Sequence, residues 1–326
     1  MNIRGLKILF GPLLILRIYF GLSRRRLFVS WFRLELNVIR VVPLLCLRRD
    51  QFSSEVRLKY FLVQGWASRI FLFRISLQML GVATIALLGV ALGLKLGAAP
   101  LHFWFIRCLR TRTYENLFIL STVQKVLPLY FLILIERWGL IRLYRGLSAF
   151  IASWGVFNRR NLSVILGYSS VFTLGWLLAA RLQRDIMWVR YLITYRIGLL
   201  GLLLLLKEVN LVSVSQLKFI KTSFMGQIVL FLLLIAIGGL PPFFSFWLKL
   251  IIFESVIKRF HIFLGLILLL RSFWFMYLYI RIRFYRLIEA RREKCNSVVQ
   301  NCFRRLAIIR VFVLGLIGVL TIFRLL

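Results

Sequence analysis

The sequence predicts an all-α polytopic membrane protein of about 11 transmembrane helices, and three observations carry that prediction. Of the 326 residues, 61% are hydrophobic, with a mean hydropathy of +0.88, whereas a water-soluble domain is about 45–50% apolar. Runs such as Ile228–Leu240 and Leu199–Leu206 hold neither charge nor turn signal, and crossing the hydrocarbon takes about 20 mostly apolar residues. The basic residues fall between such runs, in Arg24-Arg25-Arg26, Arg48-Arg49, Arg159-Arg160, Lys258-Arg259 and Arg291-Arg292. There their long side chains reach anionic headgroups.

In chain order the spans fall at 6–22, 27–47, 58–75, 78–100, 116–136, 140–157, 162–181, 186–206, 225–256, 260–282 and 306–325. The first, basic and then apolar, resembles a signal peptide but lacks a small-residue cleavage site, so it reads as a span. Arg69 and Arg74 interrupt the apolar pattern of the third. The ninth is too long for one straight crossing and contains Gly238-Gly239-Leu240-Pro241-Pro242. Two prolines inside a helix remove backbone donors and clash with the preceding turn. Such a break survives in a membrane only where protein or a wet cavity satisfies the freed carbonyls. This span is a broken helix.

Lys207–Ser223 and Arg281–Arg305 are the sizeable polar stretches, and neither is long enough for a domain. The chain therefore reads as one membrane domain over 1–326, with a first half at about 1–157 and a second at about 158–282. A basic segment and last helix follow at 283–326. Basic residues are commoner in the alternate loops on the side of the N-terminus, which places that end inside.

Lys and Arg number 45 against 10 Asp and Glu, a net charge of +35. Such a balance normally points to nucleic acid, but its placement between apolar runs excludes that partner and favours lipid. The four cysteines, Cys46, Cys108, Cys295 and Cys302, are scattered, and a structural zinc site needs four clustered ligands. No phosphate-cradling loop, nucleotide fingerprint or catalytic triad is present.

Charges inside the spans need a reason, because each costs about 2.5–3.5 kcal/mol on insertion scales. Glu35 sits mid-span in Leu34-Glu35-Leu36-Asn37, either salt-bridged to Arg33 or Arg40 or held as a functional carboxylate. Arg33 is a poor partner, since residues two apart on a helix do not face each other. Lys95 lies in Lys95-Leu96-Gly97-Ala98-Ala99-Pro100-Leu101-His102. If the helix continues, Lys95 and His102 share one face two turns apart. Burial penalises an ammonium and a nearby carboxylate restores it, so Lys95 is a tunable proton carrier or a snorkelling lysine. His102 is a partner to it or a structural histidine. Lys125 stands halfway along its span, and Lys249 follows the double-proline break, with the interfacial charge Glu254 beyond it. Pro100 and the Gly238-Gly239…Pro241-Pro242 break lie in opposite halves, with a lysine before one proline break and after the other, the arrangement an inverted repeat produces.

The order and spacing of these pieces resemble chain 2 of respiratory NADH:ubiquinone oxidoreductase (complex I), a mitochondrially encoded, antiporter-like subunit family. The likeness spans about 30–260. It includes Leu34-Glu35-Leu36-Asn37, Lys59-Tyr60-Phe61-Leu62-Val63-Gln64, Lys95 through Trp104, and Gln124-Lys125-Val126-Leu127-Pro128. It continues through Ser153-Trp154-Gly155-Val156-Phe157-Asn158, Ile165-Leu166-Gly167-Tyr168-Ser169-Ser170 and the double-proline break to Lys249. The resemblance implies antiporter-like inverted repeats with two proline-interrupted helices, without three helices found at the start of longer relatives. It implies that Glu35 and Lys95 form a carboxylate–lysine pair, that Lys125 is the central lysine and that Lys249 serves the second half-channel. The sequence departs from the family's pattern at Phe105-Ile106-Arg107-Cys108, at Thr173 where relatives often carry histidine, at Leu248 in place of a proline, and in a shorter stretch between Gln64 and Lys95.

The function so implied is that of a non-redox membrane-arm subunit of a proton-pumping enzyme of the mitochondrial inner membrane, with the N-terminus on the matrix side. Charge would pass from the Glu35–Lys95 pair through Lys125 towards Lys249. NADH, FMN, iron–sulfur clusters and ubiquinone are expected in other subunits and no cofactor in this chain. Its partners would be other membrane-arm subunits and lipids including cardiolipin. A free-standing cation/proton antiporter and a structural subunit without transport are the alternatives.

Overall fold

The computed structural model describes residues 27–45, 51–80, 85–109, 114–134, 138–157, 159–182, 187–209, 211–214, 216, 224–240, 243–259 and 262–290. The expected spans at 6–22 and 306–325, and Pro241 and Pro242, lie outside them. The described residues are almost entirely helical, with no β-strand and one isolated bridge between Asn161 and Ser213. Helices α1 (Leu27–Leu45), α2 (Gln51–Met79), α3 (Ile85–Leu96) and α4 (Phe103–Cys108) come first. Then come α5 (Tyr114–Phe118), a π-helical turn (Ile119–Val123), α6 (Gln124–Leu134), α7 (Trp138–Val156) and α8 (Leu162–Ala180). The last are α9 (Met187–Glu208), α10 (Phe224–Gly238), α11 (Phe244–Lys258) and α12 (Ile262–Ala290).

Four of the described helical segments are long and apolar enough to cross a bilayer, namely Tyr114–Leu134, Leu162–Ala180, Met187–Glu208 and Ile262–Arg281. Ile85–Leu96 and Val229–Gly238 are shorter apolar helices. The expected boundary between the third and fourth spans moves. One helix, α2, runs from Gln51 to Met79, and Arg69 does not end it, because its guanidinium lies over the Trp66 ring at 5.6 Å. The expected span at 225–256 is two helices, α10 and α11, as its breakers require.

The chain divides into two compact units. Unit 1 is Met1–Val156 with Leu166–Leu178, and unit 2 is Phe157–Ile165 with Ala179–Leu326. In unit 1, α2 packs on α1, α3 and α4, while α6 packs on α1 and α3. Helix α2 buries one stripe and leaves large apolar side chains exposed. Val56, Tyr60, Gln64, Ala67 and Phe71 form the buried stripe, at helical spacing, while Leu58, Phe61, Leu62, Trp66 and Phe73 are exposed. With lipid as the outer solvent those apolar side chains cost nothing outside, and the polar groups find partners inside. Helix α3 approaches α7 closely because Gly89 and Gly93 present no side chain to Leu140 and Tyr144. The Tyr144 hydroxyl then donates to the Gly89 carbonyl at 3.3 Å.

In unit 2, α9 packs on α10 and α11, and α12 packs on α10 and α11. Gly198 on α9 leaves room for Ile237 on α10. Glycines in the left-handed region end both interrupted helices, Gly97 (φ 64°) after α3 and Gly239 (φ 81°) after α10. At Gly97 a β-carbon would come 2.9 Å from the β-carbon of Phe105, so the turn excludes a side chain on both counts.

Candidate functional site

The break after Leu96 decides the local geometry of unit 1. Lys95 is the penultimate residue of α3, and at the break the Leu94 carbonyl accepts both from the Gly97 N–H and from the Trp104 indole, each at 3.1 Å. The Lys95 ammonium points to Glu35 on α1, with Nζ 3.4 Å from Oε1. The lysine side chain is 1% exposed and the carboxylate 23%. Glu35 therefore meets neither Arg33 nor Arg40. At 3.4 Å the pair is longer than the usual 2.7–2.9 Å of a charge-assisted hydrogen bond. Its charges are paired but not locked.

The expectation that Lys95 and His102 share a helix face fails. Helix α3 ends at Leu96 because Gly97 takes the left-handed conformation, and α4 starts only at Phe103. His102 is buried with Nδ1 3.2 Å from the Pro100 carbonyl, and its ring packs on Phe103 and Tyr168. It makes no hydrogen bond to Lys95. Pro100 itself is exposed.

Lys125 is the second residue after the π-turn. It is buried, with Nζ donating to the Ser170 carbonyl at 2.9 Å and to its hydroxyl oxygen at 3.2 Å. The Phe105 ring lies 4.5 Å beneath the ammonium, an attractive arrangement for a cation. Among the described residues no carboxylate lies within ion-pair distance of it. Pro128, inside α6, has no N–H to give the Gln124 carbonyl, so the helix is loosened just where the lysine stands.

In unit 2, Lys249 is buried and donates from Nζ to the carbonyl of Gly238, the last residue of α10, at 2.6 Å. A cation belongs at a helix C-terminus, where unpaired carbonyls gather partial negative charge. Gly239 admits it, since a β-carbon there would stand 2.6 Å from Nζ. On the other side Gly238 packs against the Tyr279 ring. Glu254 pairs with Lys258 at 2.7 Å, both side chains being exposed.

Several polar residues escaped a search directed at charge. Asn37 donates to the Gln124 side-chain oxygen at 2.9 Å, and the Gln124 amide donates to the Tyr60 hydroxyl oxygen at 2.6 Å. Gln64 donates to the Lys95 carbonyl at 3.5 Å. Arg145 is buried to 1% exposure. Their signal was an amide or guanidinium within an otherwise apolar stretch. At the departures from the family pattern, Thr173 is buried and donates to the Ser170 carbonyl, Leu248 is buried, Cys108 is buried and Arg107 is exposed.

A family model described as NADH:quinone oxidoreductase/Mrp antiporter, TM, matches residues 78–274. NADH-ubiquinone oxidoreductase chain 2 of Myxine glutinosa is 31% identical over 295 residues, covering 83% of this chain and 84% of that one. The protein of the same description from Anopheles gambiae is 29% identical over 288 residues, covering 84% and 83%. A chain in the structure of respiratory complex I from Thermus thermophilus with bound aureothin shares the fold, with a TM-score of 0.76 at 22% identity over 93% of this chain and 76% of that one. With its helical membrane fold and a match over more than half its length, the chain belongs to the NADH:quinone oxidoreductase/Mrp antiporter family, in its NADH-ubiquinone oxidoreductase chain 2 branch.

Proposed function

We propose that this chain is a membrane-arm subunit of a proton-translocating NADH:ubiquinone oxidoreductase and that its own part is to carry protons. The observation that carries the reading is the buried Lys95 ammonium 3.4 Å from Glu35, at the end of an interrupted helix. A lysine so buried keeps its proton while the carboxylate stands beside it and gives it up when the carboxylate turns away. Glu35, being partly exposed, is the partner that can turn. The central Lys125 and, in unit 2, Lys249 are two further carriers, each donating to a backbone carbonyl.

The energies match the task. Moving one charge across the membrane costs about 2.3 kcal/mol per 100 mV, and each tenfold change in a lysine's acid constant is worth about 1.36 kcal/mol. Changes of partner at a buried lysine therefore suffice to work against a potential.

In this reading the chain holds no redox group. NADH, FMN, iron–sulfur clusters and ubiquinone belong to other subunits, the neighbours are other membrane-arm subunits, and the setting is the mitochondrial inner membrane with the N-terminus towards the matrix. The basic loops suit anionic lipid, cardiolipin included. The test replaces Glu35 by Gln, and separately Lys95 by Met, in the assembled complex and measures protons pumped per NADH oxidised. A fall in either supports the reading, and unchanged pumping in both sinks it.

A further inference from the structure

The Glu35–Lys95 pair explains where the carboxylate rests, but not what receives it when it leaves. Tyr60, on α2, is 0% exposed. Its hydroxyl oxygen accepts from the Gln124 amide at 2.6 Å, and the other end of Gln124 accepts from Asn37 at 2.9 Å. The ladder therefore runs from Asn37 through Gln124 to Tyr60, and a phenol oxygen that accepts at its lone pair still has its own proton to give. Among the described residues no acceptor lies within hydrogen-bond distance of that proton.

A buried donor without an acceptor is costly, so the phenol has a standing interest in a nearby anion. Glu35 on α1 and Cys108 on α4 are the titratable groups that act electrostatically on it, while Lys95 on α3 is paired with Glu35 and Lys125 follows Gln124 in α6. The Cys108 thiol is directed to the Val56 carbonyl at 3.8 Å. That leaves Glu35, whose contact with Lys95 is long at 3.4 Å and whose side chain is the more exposed member of the pair. The packing supports the geometry: Gln64, one turn along from Tyr60 on α2, holds the Lys95 carbonyl at 3.5 Å, which brings that stretch of α2 to the end of α3 that carries the pair.

We propose that Tyr60 is the second hydrogen-bond partner of Glu35, its O–H donating to the carboxylate when that group leaves Lys95. Tyr60 keeps its proton throughout and is a positioning residue, acting through Glu35 on the proton of Lys95. Turning the Gln124 and Asn37 amides over would reverse the ladder and commit the phenol proton to Gln124, so Gln124 sets whether Tyr60 is free to receive Glu35. The inference rests on the proposed function and deepens it.

The experiment uses the assembled complex with Tyr60→Phe, Tyr60→His and Glu35→Gln. Protons pumped per NADH are measured from neutral to alkaline pH, and the Glu35 carboxylate band, identified by its loss in Glu35→Gln, is followed in infrared difference spectra. Tyr60→Phe is expected to displace that band and to move the pH midpoint of pumping by about one pH unit, a tenfold change in the acid constant. Tyr60→His, which keeps a ring donor, is expected to recover part of both. Should Tyr60→Phe fail to assemble, Tyr60→His alone still decides through the band, which must move when an N–H replaces the O–H. An unmoved band and midpoint, or identical behaviour of Phe and His, overturns the proposal. Unchanged pumping in Glu35→Gln and Lys95→Met alike would instead overturn the function on which it rests.

Discussion

Replacing Gly239 by Ala asks whether Lys249 needs its seat on the end of α10. Gly239 has φ 81°, and the new β-carbon would stand 2.6 Å from Nζ of Lys249 and 3.1 Å from its Cδ. Holding alanine in the left-handed region costs about 1–2 kcal/mol. The clash itself is cheap to relieve, because Nζ is the far end of a flexible side chain. Relief, however, lifts the ammonium from the Gly238 carbonyl, where it donates at 2.6 Å, and a hydrogen bond to a charged group is worth about 1.5–3 kcal/mol. The total is about 3–5 kcal/mol, and the larger share is a lost bond rather than a lost shape. Heat inactivation of the detergent-solubilised complex should therefore begin at lower temperature. Protons pumped per NADH in whatever assembles should fall to the level of Lys249→Met. If the Gly239→Ala complex pumps normally while Lys249→Met does not, the seat on Gly238 is irrelevant and the reasoning is wrong.

Lys95→Arg keeps a positive charge beside Glu35 but cannot release its proton at any working pH, so the complex should assemble while pumping per NADH drops; normal pumping would exclude Lys95 as a carrier. Gly97→Ala meets both a left-handed φ of 64° and the Phe105 β-carbon at 2.9 Å, a contact no flexible chain end can relieve, so native gels should show less assembled complex than Gly239→Ala gives. Ser170→Ala removes only the weaker of two Lys125 contacts, the hydroxyl at 3.2 Å, and should change stability by no more than about 1 kcal/mol in thermal inactivation. Glu254→Gln breaks an exposed pair and should leave stability within about 0.5 kcal/mol and pumping unchanged.

How much of this could be read beforehand depends on the kind of signal. The interruption of the long span at 225–256 was legible, because paired glycines and prolines have one backbone meaning wherever they occur. Lys95, Lys125 and Lys249 were legible as charges within apolar runs, but whether Lys95 was buried or snorkelled to the interface was left open until its burial was seen. The face shared by Lys95 and His102 was misjudged, since periodicity assumes an unbroken helix and a single left-handed glycine ends it. The full length of α2 was hidden: it runs from Gln51 to Met79 where the expected span covered 58–75, because Arg69 looks like an interruption until Trp66 is seen beneath it. The π-turn at Ile119–Val123 has no breaker in its sequence. It is marked only by Ser121 and Thr122, whose hydroxyls bond back to the Phe118 carbonyl. Asn37, Gln64 and Gln124 were passed over because an amide carries no charge to single it out, and its importance emerges only when three helices bring such groups together.

The seat of Lys249 also joins two quantities that are usually separate. While the side chain is an ammonium, it supplies the counter-charge for the open carbonyl end of α10, an interaction of about 0.3–2 kcal/mol according to how far water is excluded. Once neutral, it leaves that end of the helix electrostatically bare. If Lys249 carries protons as proposed, occupancy by a single proton would be written into the backbone of the interrupted helix, and the last turn of α10 would register whether that lysine is loaded.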